Sequence, residues 1–219
     1  MKLTAKAISV LFHPLFMIGY MLIILLVTNP YMFSLQDEKA QFLLLFSVFI
    51  LTVFFPLFSI FMMVKLDLVS SFQMENKTER IGPLVATGTF YLWLYINIKG
   101  NSVVPPAFSF FVLGATIALF LSLLLNSFTK ISLHTVGMGG MLAGTMFMRY
   151  FYTYDQFFLK VFGGTLAIST NLILLTVIVI AGAVGTSRLL LKAHDPMDVY
   201  GGYLVGIFAQ IVAFRIVMG

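Results

Sequence analysis

The chain has 219 residues, of which 60% are hydrophobic and only 10% charged, and its mean hydropathy is +1.03. A soluble domain carries about 25% charged and about 45–50% apolar residues, so a soluble globular fold and a disordered chain are both excluded. The net charge of +5 comes with no long basic run, which gives nucleic-acid binding little support, and the absence of cysteine removes disulfides, thiol catalysis and thiolate metal sites.

Seven apolar stretches predict membrane-spanning helices, roughly over 8–28, 42–64, 84–98, 106–126, 134–152, 161–186 and 197–217. An outer-membrane barrel would show short alternating segments instead. The first stretch follows Lys2 and Lys6 without a small-residue cleavage site, so it reads as a retained span and not a signal peptide. Its His13-Pro14 pair reads first as a proline kink with a histidine hydrogen-bonded near the interface. The second reading is a proton relay or a substrate contact. The Phe-rich second stretch reads as lipid contact. The third is short for a bilayer and is expected to extend into its flanks. The fifth, with Gly137, Gly139, Gly140 and Gly144, and the seventh, with Gly201, Gly202 and Gly206, carry small residues suited to close helix packing. Asn171, in the sixth, reads as interhelical glue. The whole chain, 1–219, reads as a single domain: an all-α polytopic bundle of six to seven spans.

Charge gathers between the stretches. Segment 65–83 holds Lys65, Asp67, Glu75, Lys77, Glu79 and Arg80; segment 127–134 holds Lys130 and His134; segment 187–198 holds Arg188, Lys192, His194, Asp195 and Asp198. Two spans separate each segment from the next. An even number of crossings returns the chain to one side, so all three are expected on one membrane face. The Lys and Arg tally across the two faces does not decide which face that is.

The run Ser187 to Asp198 carries the strongest chemical signal. Pro196 suits the first turn of a helix capped by Asp195. His194 then lies four residues from Asp198, and a histidine held by a carboxylate has its tautomer fixed. Arg188 adds a forked donor matched to phosphate.

This run matches Ser-Arg-x5-His-x3-Asp, the third signature of the type 2 phosphatidic acid phosphatase superfamily, which the chain therefore resembles. The second signature, Pro-Ser-Gly-His, is met in part by Ile131-Ser132-Leu133-His134. The first, Lys-x6-Arg-Pro, has a counterpart with altered spacing in Lys77-Thr78-Glu79-Arg80-Ile81-Gly82-Pro83. The resemblance covers roughly residues 77–206. It implies that His194 is the nucleophile, forming a phosphohistidine, that Asp198 orients it, and that His134 protonates the leaving oxygen. Arg188, Arg80 and Lys77 would hold the phosphoryl oxygens, with Ser132 assisting, and no metal or other cofactor is implied.

The implied substrate is a membrane lipid phosphate or pyrophosphate of the phosphatidic acid, phosphatidylglycerol phosphate or undecaprenyl pyrophosphate class. The implied setting is a bacterial inner membrane with the site at its periplasmic face. Leu133 in place of glycine and the missing Arg-Pro pair leave two other readings open: a non-hydrolytic lipid carrier or binder, and a lipid phosphotransferase. No oligomeric state follows from the sequence.

Overall fold

The structure, a computed structural model, describes residues 1–34, 37–72, 74, 76–161 and 163–219; Glu75, in the first charged segment, lies outside the described residues. The first span is a broken rod. Helix α1 (Lys2–Leu11) ends at Phe12, a 3-10 turn follows over Pro14–Phe16, and α2 (Met17–Thr28) completes the crossing. Pro14 causes the break, since it has no N–H to donate and its ring excludes the preceding turn. The span thus begins at Lys2, earlier than expected, because α1 is amphipathic and its lysines hide it from a purely apolar reading.

The second span runs through α3 (Glu38–Phe49), a π-helical turn at Ile50–Phe54 and α4 (Phe55–Lys65). Pro56 at the start of α4 explains the wide turn, because the helix must bypass a missing donor there. Phe42, Phe46, Phe54, Phe58 and Phe61 are exposed along it, in keeping with a lipid-facing surface. The third span extends into its flank as expected: a 3-10 turn at Thr78–Arg80 leads into α5 (Ile81–Ile98). Helix α6 spans Pro106–Leu125, α7 Leu133–Phe151, α8 Thr170–Leu190 and α9 Pro196–Met218.

One expected boundary is corrected. The stretch 161–186 does not begin as a helix. Strands β1 (Gln156–Val161) and β2 (Gly164–Ser169) form an antiparallel hairpin that pairs Val161 with Gly164, and α8 starts only at Thr170. Gly163 takes φ +82°, a conformation that favours glycine and permits the tight reversal. The molecule is otherwise the all-α bundle expected.

Among the described residues six spans are long and apolar enough to cross a membrane. Helix α7 is not among them, being less apolar. It does not need a greasy outer face, because it packs between α9, α8 and α6. Its glycines bring it against α9: a Cβ on Gly139 would meet the Tyr203 backbone, and one on Gly206 would meet the Val136 carbonyl oxygen and come within 2.6 Å of the Gly140 nitrogen. With no apolar driving force between helices in lipid, such backbone-to-backbone contact is what holds a crossing together.

Candidate active site

Arg188 projects from the last turn of α8, and His194 from the turn joining α8 to α9. That turn folds back on the helix end: the N–H groups of Leu191, Lys192 and Ala193 donate to the carbonyls of Ser187, Leu189 and Arg188. Lys192 adopts φ +52°, in the left-handed region where a helix more often ends on glycine. Asp195 caps α9, Pro196 opens its first turn, and Asp195 and Asp198 form a reciprocal capping box. The Asp195 N–H donates to Asp198 Oδ2 at 3.4 Å.

The expected His194–Asp198 contact is present as an ion-pair distance, Nδ1 to Oδ2 3.7 Å, and not as the hydrogen bond that fixes the ring. That hydrogen bond goes to a group the sequence did not point to. His194 Nδ1 lies 2.9 Å from the Lys130 carbonyl oxygen. A carbonyl only accepts, so Nδ1 carries the proton, and the lone pair of the neutral ring sits on Nε2. The His194 side chain is 4% exposed. Burial first, then the charges of Arg188 and Arg80, hold its pKa well below the usual histidine value. At neutral pH the ring is therefore neutral, as a nucleophile requires.

The three charged segments meet. Arg80, Lys130, His134, Arg188 and His194 all line one cavity of about 870 Å³. Arg80 reaches it from the turn before α5, its Nη1 donating to the Ile131 carbonyl at 3.3 Å and its Nε to the Met74 carbonyl at 3.4 Å. Arg188 Nη1 donates to Ser9 Oγ at 3.0 Å, while its buried Nε has no hydrogen-bond partner among the described residues. Among those residues neither guanidinium is paired with a carboxylate. Two such cations facing one cavity favour an anion there.

His134 lies in the first turn of α7. Its Nε2–H donates to the Ser9 carbonyl at 3.0 Å, and its ring stands edge-on to that of His13, centroids 5.2 Å apart. Three of the expected residues do not line the cavity: Asp198, which stands behind His194, Lys77 and Ser132. Lys77 Nζ donates to the Phe128 carbonyl at 2.8 Å, and the Lys77 carbonyl accepts from Asn126 Nδ2, so this residue braces the α6–α7 connection. Ser132 is fully buried and lies outside the lining, and its Oγ has no partner among the described residues. Its backbone does structural work instead: the N–H donates to the Asp198 carbonyl at 3.3 Å and the carbonyl accepts from Thr135 Oγ1 at 3.0 Å. Leu133, where the resemblance has glycine, lines the cavity.

Away from the cations the cavity becomes apolar, lined by Ile18, Leu84, Phe111 and Leu119. It continues as far as Gln210, which is about 18 Å along α9 from Asp198 at the helical rise per residue. Gln210 Nε2 donates to the Phe111 carbonyl at 3.1 Å, and its buried Oε1 has no partner among the described residues. A charged pocket continuous with an apolar part fits an amphiphile, its headgroup at one end and its chain at the other.

The PAP2 superfamily model matches residues 123–219, a little under half of the chain. The matched part contains Ser132, His134, Arg188, His194 and Asp198 and is PAP2-like. Arg80, Lys77 and the N-terminal segment lie outside it. No curated protein and no solved structure matches.

Proposed function

From the PAP2 match and the cavity it contributes to, we propose that this integral membrane protein is a metal-independent phosphatase of lipid phosphates or pyrophosphates, working through a phosphohistidine at His194. One observation carries this reading. A buried imidazole whose Nδ1–H is tied to the Lys130 carbonyl shares a cavity with two guanidiniums that have no carboxylate partner among the described residues.

The residues divide the work as follows. Arg188 and Arg80 hold the phosphoryl oxygens and offset the charge that gathers on them in the transition state. His194 Nε2 attacks phosphorus. The Nε2–P bond forms as the bond from phosphorus to the lipid oxygen breaks, and the leaving oxygen is protonated through His134, whose bare Nδ1 first takes a proton from the monoprotonated phosphoryl group. Water then attacks the phosphohistidine, releasing inorganic phosphate and restoring the ring. Asp198, 3.7 Å from Nδ1, and the Lys130 carbonyl stabilise the positive charge the ring acquires. Splitting one displacement into two lowers each barrier. The lipid chain occupies the apolar part of the cavity toward Gln210. The setting proposed is a bacterial inner membrane with the cavity at the periplasmic face.

Purified protein in EDTA should release phosphate from at least one member of a panel of lipid phosphates and pyrophosphates, and vanadate should inhibit it. His194→Ala should lower turnover by about 1,000-fold or more. Robust turnover in that variant would refute the mechanism, and lipid translocation in proteoliposomes without phosphate release would favour a carrier.

A further inference from the structure

The motifs leave His13 aside, and it lies outside the matched residues 123–219, yet it lines the same cavity as Arg80, Arg188, His134 and His194. We propose that His13 is a substrate-contacting residue whose Nε2–H donates a hydrogen bond to a phosphoryl oxygen. The proposal rests on the phosphatase reading and adds a third imidazole to its phosphate site.

Local geometry fixes the proton. His13 is the N-cap of the Pro14–Phe16 turn, and its Nδ1 accepts from the Leu15 N–H at 3.4 Å. A nitrogen that accepts carries no hydrogen, so the ring is neutral and its N–H is at Nε2. Among the described residues Nε2–H has no hydrogen-bond partner. His134 is in the opposite state: its Nε2–H is given to the Ser9 carbonyl, which leaves a lone pair on Nδ1. A neutral His134 held this way offers the cavity an acceptor, whereas His13 offers a donor, and a phosphoryl oxygen needs donors.

The segment carrying His13 is also anchored at the site. Ser9, one turn earlier, accepts from His134 through its carbonyl and from Arg188 through its hydroxyl. Pro14 locks the turn that aims the ring. The N-terminal corner is therefore coupled to both His134 and Arg188, residues that belong to two different motifs.

Two substitutions separate the donor from the cap. His13→Asn keeps an acceptor for the Leu15 N–H, since asparagine is a good N-cap, and loses the donor at Nε2. His13→Gln places an amide N–H near the Nε2 position. Vanadate binding by calorimetry and kcat/KM for lipid phosphate are measured on both and on the full-length parent, with thermal unfolding in detergent as the control for folding. His13→Asn is expected to weaken vanadate binding and lower kcat/KM by roughly tenfold or more, the loss typical of a hydrogen bond to an anion, with unfolding unchanged. His13→Gln should recover most of both.

Parental binding and turnover in His13→Asn, or equal losses in the two variants, would overturn the assignment while leaving the phosphatase reading intact. A parent that neither binds vanadate nor releases phosphate would overturn both. Should His13→Asn fail to fold, the parent itself serves: in protein labelled with 15N-histidine, vanadate should shift the His13 Nε2–H resonance, and an unmoved resonance would overturn the proposal.

Discussion

His194 sits where its charged form is disfavoured, by burial and by two neighbouring guanidiniums. Its folded pKa lies below the unfolded value near 6.5, so between the two the unfolded chain binds more protons. The ring's contribution to stability is therefore full above about pH 6.5 and is lost as pH falls below it. The same sign governs activity. The acid limb of kcat/KM is expected below pH 6.5, and a limb at or above that value would contradict the assigned environment. Arg188, His194 and Asp198 were legible in the sequence because they lie within eleven residues, on one helix end, one turn and one cap. The groups that orient them were not. The carbonyls of Lys130 and Ser9 do their work through backbone atoms, and backbone atoms leave no signature in residue type. Lys77 and Ser132 were misleading in the opposite way, being polar residues near motif positions whose side chains lie outside the cavity.

The element that positions the site is the crossing of α7 and α9. It brings Ser132 and His134, at the start of α7, beside the capping box of α9, and its closeness depends on glycine. Gly206→Ala would drive a Cβ into the backbone of Val136 and Gly140, atoms that cannot swing aside. A loss of about 1–3 kcal/mol or more is expected, seen as a large fall in the detergent unfolding temperature together with lost activity. Gly201, one turn nearer the cap, has nothing within 4 Å of its Cβ position, so Gly201→Ala should be neutral or stabilise by up to about 1 kcal/mol. Equal effects at the two positions would mean that the crossing is not held by backbone contact. These glycines were legible as a small-residue face. The hairpin at Gln156–Ser169 was not, since its apolar run continues into α8 and a short apolar run does not tell strand from helix by periodicity. The break at Pro14 was legible, but not its consequence, because nothing in the spacing of α1 says that Ser9 turns toward Arg188.

At the scale of the molecule, counting crossings led to the expectation that residues 80, 134 and 194 share one membrane face, and all three line one cavity. Their gathering around one cavity needs more: the α6–α7 connection braced by Lys77, and the N-terminal corner bound to His134 and Arg188. Two charged motifs separated by whole helices thus share one pocket, and its apolar part reaches toward the middle of the bundle at Gln210. The proposed mechanism requires a covalent bond to one ring nitrogen of His194. Protein mixed with a lipid substrate carrying 32P in its terminal phosphoryl group and quenched within a turnover should carry label that survives alkali and is lost in acid, and that maps to His194. Absence of trapped label from an enzyme that turns over in a burst, or label mapping to His134 or another residue, would contradict it.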